Sequence, residues 1–456
     1  MPARILVAAP ASGSGKTTFT LGLLDALRRR GLAVQPFKAG PDFIDPSHHT
    51  RVAGRASRNL DTWLCGDDAV REIFVRAASC AEISVVEGVM GLYDGFGPRD
   101  ERGSSAHLAR LLDCPVLLVV DAQRCATSAA AVALGFQRFD ERVRLAGVVF
   151  NNVGSPGHYE WLGTTLEDHT GLASFGYLAS DDALRIEERH LGLVPADERP
   201  PPESLQARLR GQFDDHVDVA AIVAAASAAP DVAPPVERMF ETGAVPPRAR
   251  IGVARDAALN FYYEENLDLL AHAGAEIVMF SVLHDRDLPP GVQGLYLGGG
   301  FPEMFAARLA ANAAMRAALR AFHAGGGRIY AECGGLMVLC EAIIDFDGRR
   351  HEMAGLVPAT AVMRRDRLSL GYCEVETIKD TVIAPAGARY RAQTFHHSVL
   401  AETRFEPATR LTHGGNVSQD GYAADGVFAT YVHAHFAARP DLARRFVDQC
   451  ARGVCQ

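Results

Sequence analysis

One stretch, "RILVAAPASGSGKTT" from Arg4 to Thr18, constrains the fold of this 456-residue chain more than any other. An apolar run leads straight into a loop of small residues, and an amphipathic segment from Lys16 to Arg30 follows. Strand, glycine turn and helix in that order open an α/β unit. The runs "AVQPFKAG", "ISVVEG", "PVLLVVDA" and "RLAGVVFNNV" repeat the alternation with helical stretches between them. Continuous apolar strands are buried on both faces, so residues 1–195 are expected to form a doubly wound domain with a parallel sheet.

From Pro195 to about Arg250 proline and alanine dominate, as in "PADERPPPE" and "AAIVAAASAAP". Prolines at that density cannot continue a sheet, which marks 196–248 as a linker region enclosing one or two helices. A second α/β pattern runs through "RIGVARD", "EIVMFSV", "GLYLGGG" and "RIYAECGG" to a β-rich tail ending in "GVFATYVHAHF", defining a second doubly wound domain over 249–456. Two domains suit the length. With 48% hydrophobic and 22% charged residues and no long apolar stretch, the chain reads as globular and not membrane-bound. A net charge of -9 argues against nucleic acid as a partner. Nine cysteines without a CxxC pair, behind an N-terminus that lacks an export signal, point to the cytoplasm. The oligomeric state stays open, a homodimer included.

The loop after the first strand carries the clearest chemistry. Gly13 and Gly15 let several backbone N–H groups converge on a phosphate, Lys16 adds charge, and Thr17, with Thr18 beside it, offers a hydroxyl to magnesium. Pro10 stands where the strict pattern has its first glycine. After the second strand, "FKAGPDFIDP" supplies Lys38, Asp42 and Asp45; "VVEGVMGLYDG" ends the third with Glu87. Asp42 and Glu87 together are candidates to hold a hydrated magnesium ion beside Thr17. Asn151 and Asn152 end a later strand, where an amide can read the edge of adenine. ATP is therefore the expected co-substrate.

In the second half, "RIYAECGGLMVLC" reads as strand, sharp turn and helix with Cys333 at the turn, the layout of a nucleophile elbow. Cys340 reads as an inert core thiol. The backbone N–H groups of Gly299 and Gly300 in "LYLGGGFPE" are candidate oxyanion donors. A base is sought among His396, His397, His413, His433 and His435, with His433 favoured because it ends a β-rich run. A metal-binding reading of the HxH pair lacks a third ligand at suitable spacing.

The N-terminal part resembles P-loop ATPases of the dethiobiotin synthetase type, whose phosphate loop also departs from the strict pattern. Cys333, the triglycine loop and His433 resemble a class I glutamine amidotransferase domain; His435 stands where many members of that class carry a glutamate. Together the two halves resemble the cobyrinic acid a,c-diamide synthase family, through "FKAGPDFIDPSHH", "VVEGVMGLYDG", "SSAHLARLLDCPVLLVVDA", "AECGGLMVL" and "YVHAHF". The resemblance implies glutamine, ATP and Mg2+ in the amidation of the a and c acetates of a corrin acid through acyl phosphates. Asp45 matches an acidic position near that family's corrin site, and Lys38 would steady the γ-phosphate. One departure, "RAQTFHHS" from Arg391 to Ser398, favours metal-free hydrogenobyrinic acid over cobyrinic acid as substrate. The alternatives are an amidotransferase for another polycarboxylate and, from another class, a partitioning-type ATPase switch.

Overall fold

In chain order, β1 (Ala3–Ala8) leads to α1 (Lys16–Arg29), β2 (Val34–Ala39), α2 (Ile44–Ala53), β3 (Arg58–Leu60), α3 (Asp67–Ala78) and β4 (Ile83–Glu87). Then follow α4 (Ser105–Leu111), β5 (Val116–Asp121), α5 (Thr127–Phe139), β6 (Leu145–Val153), α6 (Pro156–Thr170) and β7 (Ser174–Ala179). The seven strands pair in parallel in the order β3-β2-β4-β1-β5-β6-β7. Ile5, Leu6 and Val7 are fully buried in succession, as are Leu117, Leu118 and Val119, so consecutive side chains on both faces lie in the core. That two-sided burial is why these strands read as unbroken apolar runs. Ser104 and Ser155 cap α4 and α6 by accepting from the His107 and His158 amides. The structure, a computed structural model, describes residues 2–184, 188–189, 192–193, 198, 202–240 and 245–452.

After a short antiparallel pair, β8 (Glu188–Arg189) with β9 (Gly192–Leu193), come α7 (Glu203–His216) and α8 (Val219–Ser227). The sequence places one or two helices here within a linker region; two helices form, and both pack into the first domain's core. Leu209, Phe213, Ile222 and Ala226 are buried with Phe19 and Leu23 of α1. The Phe213 ring lies 5.1 Å from that of Phe19 and fills the space left by Gly22, where a Cβ would come within 2.0 Å of it. The chain accordingly forms two compact units, Met1–Arg238 and Met239–Gln456.

The second unit contains β10 (Ala249–Ala254), α9 (Glu264–His272), β11 (Ala275–Phe280), β12 (Gly294–Leu297), α10 (Ala306–Ala311), α11 (Ala313–Ala324), β13 (Arg328–Glu332) and α12 (Gly334–Leu339). It continues with β14 (Cys340–Ile344), β15 (Arg350–Glu352), β16 (Val357–Met363), β17 (Ser369–Thr377), β18 (Arg389–His396), β19 (Ser398–Ala401), β20 (Thr409–His413), β21 (Asn416–Asp420), β22 (Tyr422–Ala424), β23 (Val427–Thr430), β24 (Val432–Ala434) and α13 (Asp441–Arg452). Its main sheet runs β11-β10-β12-β13-β23-β22 and is parallel except for the edge strand β22. The β-rich tail adds two smaller sheets, β15-β14-β16-β19 and the antiparallel β21-β20-β17-β18-β24. Among the described residues no helix is long and apolar enough to cross a membrane.

Candidate active sites

In the first unit the winding reverses at β1, and the loops after β1, β2 and β4 open at the carboxyl edge, where open α/β sheets bind ligands. Gly13 and Gly15 take φ values of 80° and 93°, left-handed conformations that a side chain would strain. Gly15 has a second constraint. A Cβ there would stand 2.1 Å from Asn151 Nδ2, which donates to the Ser14 carbonyl at 3.0 Å. Asn151 therefore props the loop, and Asn152 donates to Asp121 Oδ1 at 3.0 Å. Lys16 folds over the loop, its Nζ donating to the carbonyls of Ala11 at 3.2 Å and Met90 at 2.6 Å. Thr17 and Thr18 sit half-buried in the first turn of α1.

Glu87, at the end of β4 and fully buried, is the hub. Its Oε1 accepts from Thr17 Oγ1 at 2.6 Å and from Lys38 Nζ at 2.9 Å; its Oε2 lies 2.6 Å from His49 Nε2. Lys38 also reaches Asp45 Oδ2 at 2.5 Å and the Gly88 carbonyl at 3.2 Å. Burial opposes the charge on Lys38, but Asp45, Glu87 and Asp42 outweigh it and hold the ammonium above its ordinary range. Burial likewise works against the Glu87 carboxylate, and Lys38 and His49 overcome it, keeping the group ionised. Asp42 is turned to its own helix, accepting from the Ile44 and Asp45 amides at the start of α2, and its nearest charge is Lys38 at 4.0 Å. The structure thus brings Thr17 and Glu87 together, whereas Asp42 is turned to the cap of α2. Among the described residues no three acidic, His or Cys groups cluster as a metal site. His49 escaped the sequence reading: the "SHH" doublet was visible, but only the fold brings it to Glu87.

In the second unit Cys333 sits between β13 and α12 with φ 46° and ψ -99°, the strained turn of an elbow. It is 3% exposed, its amide donates to the Thr430 carbonyl at 2.8 Å, and its Sγ lies 3.6 Å from the Phe395 carbonyl. Burial, followed by the Glu303 charge, pushes its thiol up, so ionisation has to be helped by a base. Only glycine fits at the two positions that follow it. A Cβ on Gly334 would press to 2.9 Å from Gly300 N, and one on Gly335 to 2.3 Å from the Leu297 carbonyl. Gly300 N therefore lies against the elbow. Gly299 does not serve in the way expected: its N–H donates to the Phe261 carbonyl at 3.2 Å and its carbonyl accepts from Phe261 N at 3.0 Å. Its importance is steric, since a Cβ would stand 2.3 Å from His433 Cε1. The amide of Gly334, which touches the Cys333 sulfur, is a donor that the sequence reading missed.

Of the five histidines, His433 on β24 is the one against this loop, fully buried. His396 stacks on Tyr431 at 4.0 Å, His397 bonds the Arg367 carbonyl at 2.5 Å, and His413 ends β20 in the outer sheet. His435 packs 4.3 Å from the Tyr263 ring, where burial lowers its pKa to about 3. Cys340 is fully buried, and burial pushes its thiol up to about 12, as befits a core residue.

Two family models match the chain: a CobQ/CobB/MinD/ParA nucleotide binding domain over residues 5–194 and a CobB/CobQ-like glutamine amidotransferase domain over residues 250–441. Curated relatives named cobyrinate a,c-diamide synthase align almost end to end. The Salmonella typhimurium protein is 42% identical over 98% of both chains. The Dehalococcoides mccartyi protein is 41% identical over 97% of both, and that of Priestia megaterium 40% identical over 98% of this chain and 97% of its own. With a nucleotide-binding domain joined to a glutamine amidotransferase domain, and with this likeness over nearly its whole length, the chain belongs to the cobyrinate a,c-diamide synthase family.

Proposed function

We propose that the chain converts the a and c acetate carboxylates of a corrin acid to amides, drawing ammonia from glutamine and activating each carboxylate with ATP. The observation that carries this reading is Cys333, held at φ 46° in an elbow whose next two positions admit only glycine, with His433 packed against the neighbouring loop. Such strain at a buried thiol has a use in acyl transfer and none in a switch ATPase. His433 would take the thiol proton as Sγ attacks the side-chain amide of glutamine. Gly300 and Gly334 N–H groups would face the developing oxyanion, and collapse would release ammonia and leave a thioester that water cleaves to glutamate.

Ammonia cannot displace oxide from a carboxylate. Transfer of the γ-phosphoryl group of ATP to the carboxylate oxygen, with ADP leaving, gives an acyl phosphate from which ammonia displaces phosphate. Gly13, Gly15, Lys16, Thr17 and Thr18 would cradle and neutralise the phosphates, with Lys38 beside them. The Thr17 hydroxyl and the Glu87 carboxylate, 2.6 Å apart, are hard oxygen donors that suit Mg2+, an ion that keeps most of its shell for water and phosphate. When bound, that ion would offset charge on the transferring phosphoryl group. Asp45, within reach of Lys38, is our candidate for orienting the corrin carboxylate.

The names of the relatives favour cobyrinate as the corrin. Residues 391–396 of the stretch "RAQTFHHS" lie on β18, and the Phe395 carbonyl faces Cys333, so this departure also bears on glutamine use. The test is mass spectrometry of cobyrinic and hydrogenobyrinic acids incubated with ATP, magnesium and glutamine or ammonium, with wild type and Cys333→Ala. A diamide from both nitrogen sources with wild type, and from ammonium alone with the variant, is expected. Glutamine hydrolysis without amide on either corrin would refute the substrate.

A further inference from the structure

Class I amidotransferases commonly place a carboxylate behind the histidine base, and the position two residues after His433 is here His435. A different carboxylate is in place. Glu332, the residue before the nucleophile, is 1% exposed at the end of β13, and its Oε2 lies 3.7 Å from His433 Nδ1. It is firmly held. Its Oε1 accepts from Tyr330 OH at 2.5 Å and from the Ala434 amide at 3.1 Å, and its Oε2 from Tyr296 OH at 3.2 Å. Register fixes the approach, because β13 pairs with β23 so that Glu332 lies opposite Thr430, three residues before His433. A carboxylate this buried is costly unless donors surround it, and three donors from different elements do so here.

We propose that Glu332 is the positioning residue of the amidotransferase site, facing His433 Nδ1 so that Nε2 is presented to Cys333. The inference rests on the assignment of Cys333 and His433 as nucleophile and base. A separation of 3.7 Å exceeds a hydrogen bond, and catalytic contacts of this kind tighten when substrate binds. Glu265, the other buried glutamate nearby, stands 3.8 Å from His435 Nε2 and is the rival that the experiment has to separate.

The experiment measures glutamate release and amide formation by the full-length protein, with ammonium-dependent amidation as the internal reference. Glu332→Gln keeps the shape but loses the charge. It should cut kcat with glutamine at least about a hundredfold, toward the roughly 10⁴ lost when a triad Asp becomes Asn, with KM within about threefold of wild type. Glu332→Asp should regain part of that loss, and Glu265→Gln should stay within about threefold of wild type. If Cys333→Ala and His433→Ala abolish glutamine use while Glu332→Gln does not, Glu332 has no such role and the active site stands. If either of those two variants retains glutamine use, the site assignment itself is wrong. A loss confined to Glu265→Gln transfers the role to that residue. Should Glu332→Gln not fold, Glu332→Asp decides: a kcat drop above about tenfold at unchanged KM upholds the proposal, and wild-type kcat overturns it.

Discussion

His49 Nε2 stands 2.6 Å from Glu87 Oε2, and both side chains are fully buried. The contact leaves Oε1 of the same carboxylate for Thr17 and Lys38. Replacing His49 with alanine strands one oxygen of a buried carboxylate, a loss of about 1–3 kcal/mol. We expect His49→Ala to lower ammonium-dependent amidation by about tenfold or more while glutamine hydrolysis keeps its rate. Both tryptophans, Trp63 and Trp161, lie in the first unit, so a denaturant titration followed by tryptophan fluorescence reports the stability change there alone.

Gly15 meets two separate obstacles to any side chain: its φ of 93° and the Asn151 amide 2.1 Å from where a Cβ would be. Removing one obstacle does not remove the other. Gly15→Ala should abolish nucleotide-dependent amidation, and combining it with Asn151→Ala, which clears the space, should not restore it. Asn151→Ala alone should weaken ATP binding only modestly, because it removes a prop for the loop and no phosphate contact. Calorimetric titration of the three variants with ATP and magnesium distinguishes these outcomes.

What sequence made legible here was what short-range pattern encodes. The phosphate loop, Cys333 in its elbow and the alternation of strands with helices each lie within one contiguous stretch. His49 and Glu332 did not stand out, because their partners Glu87 and His433 lie 38 and 101 residues away and only the fold brings them together. Gly299 misled for a related reason: three glycines announce permissive backbone but not that Phe261 takes up the middle N–H. The proline-rich region misled because its composition drew attention from Leu209, Phe213 and Ile222, whose spacing turns one face of each helix toward α1.

That face gives a stability prediction. Phe213 is 1% exposed and packed against Phe19 and Gly22. Phe213→Ala should cost the first unit about 3–5 kcal/mol, as for other large aromatic truncations in a core. Gly22→Ala should also destabilise it by about 1–3 kcal/mol, through overpacking instead of a cavity. If 196–248 acted as a mere linker, neither change would move the tryptophan-detected unfolding midpoint.

The second unit should be sensitive to mild acid through two histidines outside the proposed chemistry. Burial lowers His435 to about 3 and His396 to about 4, the latter against the Ser398 carbonyl that partly offsets the burial. In the unfolded chain both titrate near the ordinary 6.5. Between those values the unfolded state binds protons that the folded state cannot, so stability is whole above about pH 6.5 and is lost as pH falls toward 4 and then 3. Each histidine contributes a slope of up to about 1.4 kcal/mol per pH unit within its window. His435→Asn removes one titration while its Oδ1 can replace Nδ1 as acceptor for the Ala437 amide, now 3.3 Å away. Hydrogen exchange of β18 and β24, corrected for intrinsic rates, should therefore lose protection between pH 6.5 and 4 in the wild type and lose less in the variant. Equal losses in the two proteins would mean that His435 is protonated in the fold without penalty.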